Sequence, residues 1–153
     1  MKILDPCCGS KMMWFDKENK ETVYGDIRDE RHILCDGRSL NINPDVLIDF
    51  TKLPYDNEQF HLIVFDPPHL KNVGKTSWMA KKFGVLGRDW KDDLRSGFSE
   101  CWRVLKINGT LIFKWNETQI KLVQLRSLFP APPLFGHTTT NNLKTHWIVF
   151  YKP

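Results

Sequence analysis

Residues 61–66 read His-Leu-Ile-Val-Phe-Asp and run straight into Pro67 and Pro68. The Leu-Ile-Val-Phe stretch does not alternate with polar residues, and a strand of that kind is covered on both faces. Two successive prolines donate no backbone hydrogen bond and force an extended path, so the strand stops there. A strand buried on both sides belongs in a layered α/β domain. Other segments agree. Residues 2–5, Thr22–Tyr24, Val46–Phe50 and Thr110–Trp115 read as short strands, and Leu134–Thr138 and Trp147–Tyr151 as closing strands turned by Asn141-Asn142. A helix is expected over Trp90–Leu105, where Leu94, Phe98, Cys101, Trp102 and Leu105 recur at helical spacing before Asn108-Gly109. Shorter helices are expected over Met12–Asp16 and Thr118–Leu128. GDIRDE after Tyr24 is a polar break, and residues 71–90 are loop-like, with Gly74, Gly84 and Gly87. The expected architecture is a layered α/β domain with a mostly parallel sheet.

The 153 residues suit one domain, 1–153. No apolar run approaches the ~18–20 residues of a membrane span. The opening MKILDPCCGS turns polar too soon for a secretory signal. Cys7, Cys8, Cys35 and Cys101 form no CxxC pair, which argues against a zinc site and fits a reducing cytoplasm, so no metal is expected. The net charge of +4 conceals a division. Residues 1–70 carry 8 basic and 13 acidic side chains, a balance of −5, and residues 71–153 carry 14 and 5, a balance of +9. Two ligands of opposite charge are implied.

Three features fall at the ends of expected strands, where ligands of parallel sheets bind. Asp5-Pro6-Cys7-Cys8-Gly9-Ser10 is a small-residue turn that lets backbone approach a ligand. Asp26 follows about 20 residues later, where a nucleoside ribose would be held. Asp66-Pro67-Pro68-His69 fixes a carboxylate and the following carbonyls in one direction, which suits accepting the protons of an amino group. Each also has a plain structural reading, as a strand-turn-helix or a Pro-Pro strand terminator.

Together, and in this order, the motifs resemble those of S-adenosylmethionine-dependent amino-group methyltransferases. DPPH resembles their (D/N/S)PP(Y/F/W) motif, and DPCCGS their first cofactor motif. Asp26 stands at the ribose-binding acid, and Asp49-Phe50 resembles the pair that flanks the adenine. FSECWRVLKINGTLIFKW resembles the helix, turn and fifth strand of the fold. The resemblance covers about residues 2–115, and it extends to small methyltransferase-like proteins of phages and prophages. It implies a Rossmann-like methyltransferase fold, α/β, with a mostly parallel seven-stranded sheet and an antiparallel C-terminal hairpin. It implies S-adenosyl-L-methionine as cofactor, held by Asp5, Pro6, Cys7, Cys8, Gly9, Ser10, Asp26, Asp49 and Phe50. It implies methyl transfer to an exocyclic amino group of a nucleic acid base, DNA or RNA with adenine favoured, through Asp66, Pro67, Pro68 and His69.

Two departures stand out: His69 replaces the usual aromatic, and neither the 56 residues between Gly9 and Asp66 nor the 84 after His69 hold a target-recognition domain. Residues 71–95 carry seven basic and three acidic side chains with Trp78, Phe83 and Trp90 interleaved. Lysines beside aromatics combine phosphate neutralisation with base stacking. The expected acceptor is therefore a nucleic acid, single-stranded or distorted because a duplex base must be flipped out. Lys71, Lys75, Trp78, Lys81 and Lys82 would contact it, with Trp115 and Asn116 at the end of the fifth strand. Two alternatives stay open: transfer to a protein glutamine amide or small-molecule amine, and a non-catalytic cofactor-binding protein that works through a partner. A protein partner that supplies target recognition fits either case. A nicotinamide dehydrogenase is disfavoured by the missing GxGxxG.

Overall fold

The structure, a computed structural model, describes residues 2–74, 77–139 and 144–153. Lys75 and the expected Asn141-Asn142 turn lie outside the described residues. In chain order come β1 (Ile3–Asp5), β2 (Thr22–Asp26), β3 (Glu30–Ile33), β4 (Ser39–Ile42), β5 (Val46–Leu47) and β6 (Phe60–Phe65). Then follow α1 (Trp78–Phe83), α2 (Trp90–Val104), β7 (Leu105–Asn116), β8 (Phe135–Thr138) and β9 (Thr145–Tyr151). Among the described residues, seven strands form one sheet in the order β5-β2-β1-β6-β7-β9-β8. Pairing is parallel from β5 to β7 and antiparallel on either side of β9. The expected α/β sheet with an antiparallel C-terminal hairpin is thus what forms. Its order reverses between β1 and β6, which makes their carboxyl ends the switch point of the sheet.

The strand that ends at Asp66 is central, with Ile63, Val64 and Phe65 buried, as its unbroken apolar run dictates. α2 lays Leu94, Phe98 and Cys101 on the sheet, and Phe98 meets Phe65 and Phe113 edge-on with centroids 5.4 and 4.8 Å apart. Acidic Asp92 and Asp93 in its first turn and Arg103 in its last suit the helix dipole. Gly97 makes this approach possible: a Cβ there would lie 2.7 Å from Phe50 Cδ2 and 2.8 Å from Phe65 Cζ.

Five local expectations are corrected. The helix ends at Val104 and passes directly into β7, and Asn108 takes φ +62° within that strand instead of ending the helix. Residues 118–128 form two 3-10 turns, Leu122–Gln124 and Arg126–Leu128. Polar side chains capture their backbone, with Leu122 N–H donating to Glu117 Oε2 at 3.0 Å. Met12–Asp16 is a chain of turns, held by Trp14 Nε1 on Asp5 and Tyr24 Oη on the Asp16 carbonyl. The stretch after Asp26 holds the β3–β4 hairpin, announced by Asp36-Gly37 with Gly37 at φ +81° and by the alternating burial of Leu40 and Ile42. The loop of residues 71–90 also contains α1, capped by Ser77, whose hydroxyl accepts from Met79 N–H.

Candidate active site

At the switch point the chain leaves β1 through Pro6 to Ser10 and leaves β6 through Asp66 to His69, and a two-lobed cleft opens between them. Counted out into open solvent, the lobes enclose about 430 and 400 Å³ of free space. One lobe is lined by Cys7, Cys8, Gly9, Ser10, Met12, Met13, Arg28, Asp66, His69, Lys82, Phe83 and Lys114. The other is lined by Pro6, Cys7, Asp26, Ile27, Arg28, Asp49, Phe50, Asp66, Pro68 and Phe83. Cys7, Arg28, Asp66 and Phe83 border both, so the two lobes are one cleft.

The glycine turn is built by two carboxylates. Asp26 Oδ2 accepts the Gly9 N–H at 2.9 Å, and Asp26 Oδ1 accepts Arg28 N–H and Nε at 3.0 and 3.2 Å. Asp5 Oδ1 accepts the Cys7 N–H at 3.1 Å and Oδ2 accepts Trp14 Nε1 at 2.7 Å. Gly9 takes φ +51° with open space where a Cβ would stand, a cradle for a ligand's polar end. Asp5 is wholly buried and lines neither lobe; it shapes the loop from behind. Burial pushes its carboxyl up to about 7. Burial also pushes the Cys7 thiol up and the Cys8 thiol to about 12, so neither is a thiolate nucleophile near neutral pH.

The DPPH segment carries the opposite wall. Asp66 Oδ2 accepts from Lys114 Nζ at 2.6 Å. Burial raises the Asp66 carboxyl while the Lys114 ammonium pulls it back down. His69 lies against Phe83 with ring centroids 5.3 Å apart and meets Trp115 edge-on at 6.3 Å. Burial, aided by Lys114, pushes its imidazole down to about 4, so the ring is neutral at physiological pH. Pro68 borders the cleft, whereas Pro67 is buried and lines neither lobe.

Of the expected acceptor contacts, Lys82 reaches the cleft and Trp78 stands 47% exposed beside it in sequence, with Lys82 Nζ 5.9 Å from its ring. Lys71 is exposed, its Nζ 5.6 Å from the buried Trp90 ring. Lys81 contributes its carbonyl, which accepts Arg28 Nη1 at 2.9 Å. Trp115 and Asn116 line neither lobe. Trp115 is fully buried, its Nε1 donating to the Ile120 carbonyl, and it backs His69 from the core. Asn116 donates to Thr145 Oγ1 and accepts from Thr118, which ties β7 to its neighbours.

Arg28, Phe83 and Lys114 were not among the expected site residues. Arg28 was legible as Asp-x-Arg, a spacing at which an aspartate takes both backbone and side-chain N–H. Lys114 was legible by alternation, since Phe113 and Trp115 on either side are core residues. Phe83 was legible only as one of the aromatics interleaved with the basic residues of 71–95, and the docking of α1 brings it to the cleft. That docking is set by Gly84 at φ +72°, where a Cβ would lie 3.0 Å from Pro68 Cγ.

Numbered within the sheet, the strand order is 3-2-1-4-5-7-6. The chain has the Rossmann-like fold of solved methyltransferases. Over 99% of its length and 80% of the other chain it is similar to a TehB-like SAM-dependent methyltransferase from Corynebacterium glutamicum, at TM-score 0.59 and 16% identity. An rRNA methylase from Streptococcus thermophilus matches at TM-score 0.53 and 10% identity, over 99% of this chain and 87% of that one. A protein from Pyrococcus horikoshii matches at TM-score 0.52 and 15% identity, over 99% and 82%. No family model matches the sequence, and no curated protein does. Among the described residues no helix is long and apolar enough to cross a membrane, and no group of three His, Cys, Asp or Glu side chains is placed to hold a metal.

Proposed function

We propose that the chain is an S-adenosylmethionine-dependent N-methyltransferase, a single domain that acts on the exocyclic amino group of a nucleic acid base, adenine in single-stranded or distorted DNA or RNA. The observation that carries this reading is the placement of Asp66 and His69 across one cleft from the Gly9 turn, at the sheet's switch point. The names of two neighbours, a SAM-dependent methyltransferase and an rRNA methylase, support it.

The cleft's donor set fits the cofactor. The lobe of Asp26, Ile27, Asp49, Phe50 and Pro68 offers carboxylates for a ribose and apolar walls for an adenine. The Gly9 turn gives a polar chain end close access to backbone. When bound, the cofactor supplies an electrophilic methyl on a positive sulfur. The acceptor nitrogen's lone pair forms the new C–N bond as the C–S bond breaks and its electrons stay on sulfur. Asp66 accepts N–H bonds from the amino group and stabilises the charge that develops on the nitrogen. His69, neutral and backed by Phe83 and Trp115, offers a flat ring for the base to stack on. The nitrogen then sheds a proton to solvent, and no strong base is needed. Walls on both sides hold the reactants in line and keep water out, so orientation supplies much of the rate.

The test is transfer of labelled methyl from S-adenosylmethionine to pooled single-stranded DNA, RNA and protein, with calorimetric titration of the cofactor. Asp66→Ala should lower transfer by about 100-fold or more with cofactor affinity within a few-fold. Equal loss of both reassigns Asp66. Label on protein glutamine selects the amide alternative, and cofactor binding with no labelled acceptor selects the non-catalytic one.

A further inference from the structure

Asp66 meets the cleft in the company of a cation. Phe113 and Trp115 are both wholly buried, so the alternation of β7 turns Lys114 to the other face of the sheet and onto the carboxylate. The two side chains are 26% and 20% exposed, a pair largely removed from water. Lys82 and Arg28 line the same lobe, and Arg28 is already engaged by Asp26 and the Lys81 carbonyl. His69 completes the wall, and Asp5 lies behind the glycine turn. The Asp66–Lys114 pair has no net charge, and Lys82 adds a positive one.

We propose that Lys114 sets the acceptor specificity of this site, admitting uncharged amide or aromatic amino groups and excluding protonated alkylamines. This rests on the methyl-transfer reading above. The ammonium opposes the rise that burial imposes on the Asp66 carboxyl and so favours the carboxylate, which accepts N–H bonds from a neutral amino group. An incoming alkylammonium finds no net attraction in the pair. It must leave water to stand beside Lys114, Lys82 and the cofactor's own positive sulfur. The selection works by repulsion, a device that costs the correct acceptor little because its nitrogen is neutral until the methyl arrives. Once methylated, the nitrogen is positive beside the same ammonium, which favours loss of its proton to solvent.

The experiment compares the full chain with Lys114→Met and Lys114→Arg, using an adenine-containing single-stranded oligonucleotide and butylamine as acceptors at neutral pH. In Lys114→Met the ratio of transfer to oligonucleotide over butylamine should fall by about 10-fold or more, and Lys114→Arg should restore it. Lys114→Met should also acquire a pH limb. Its Asp66 carboxyl, no longer held by a cation, protonates at higher pH, so transfer falls with acidification at a higher pH than in the parent and Lys114→Arg. An unchanged ratio or an unchanged pH profile overturns the proposal. A turnover-free arm follows the His69 ring signals by NMR with S-adenosylhomocysteine present. Butylammonium should shift them in Lys114→Met at about a tenth of the concentration the parent needs. Equal concentrations in both overturn the proposal even if the parent methylates no acceptor, an outcome that by itself refutes only the methyl-transfer reading.

Discussion

Asp5 and His69 show burial acting on two side chains with opposite consequences for pH. Burial raises Asp5 from 3.8 to about 7. Its contribution is fully present below pH 3.8, where folded and unfolded chains are both protonated, and it is lost as pH rises through about 7. The loss is of order 4 kcal/mol at about 1.4 kcal/mol per unit. His69 is lowered from 6.5 to about 4, so its contribution is fully present above pH 6.5 and is lost as pH falls toward 4. Between pH 4 and 6.5 the two slopes oppose one another. Melting temperatures measured across that range should therefore rise more steeply with pH in Asp5→Asn than in the parent, and less steeply in His69→Phe. Parallel curves for all three proteins would show that neither group shifts on folding. The sequence placed both residues at strand ends. It did not show that one supports the loop from behind while the other walls the cleft, since a carboxylate's burial depends on what folds over it, here Trp14 and Cys7.

At the scale of elements, α2 couples stability to the cleft. Gly97 sits where the helix touches both Phe65 of the core and Phe50 of the cleft wall. Gly97→Val should destabilise the fold by about 1–3 kcal/mol through overpacking. It should also weaken cofactor binding, because the new side chain displaces Phe50, which lines the cleft. Denaturant unfolding paired with calorimetric titration checks this, and a stability loss with unaltered affinity would separate Phe50 from the site. The strong elements were legible: an unbroken apolar run gives β6, and helical spacing gives α2. α1 was not, because it is short and polar and is held by the Ser77 cap and by docking that periodicity does not encode, and the β3–β4 hairpin was signalled only by its Asp36-Gly37 turn, without an apolar run. The expected helix over residues 118–128 failed for the converse reason. Its stripe of Ile120, Val123 and Leu128 suited a helix, but Glu117 and Asn116 hydrogen-bond the backbone first, and Val123 ends 66% exposed.

For the whole molecule, the charge division of −5 and +9 finds a spatial counterpart. Asp26 and Asp49 from the first half line one lobe, and Lys82 and Lys114 from the second half line the other. Affinity for a single-stranded oligonucleotide should fall with salt between 50 and 200 mM, and Lys71→Gln with Lys82→Gln should reduce the log–log slope by about 1–2. Trp78→Ala should weaken binding by about 1–3 kcal/mol and leave the slope alone. Fluorescence anisotropy measures both, and an affinity independent of salt would refute the nucleic-acid acceptor. The sequence by itself determined the fold class and the three strand ends that meet at the cleft, because burial patterns and proline or glycine turns are local properties of the chain. Only the tertiary structure decided that Trp115 belongs to the core, that Arg28 bridges Asp26 to α1, and that Lys114 sits on Asp66. Those pairings join residues far apart in the chain, and the docking of strands and helices, not the composition of any segment, sets which charges come within reach of one another.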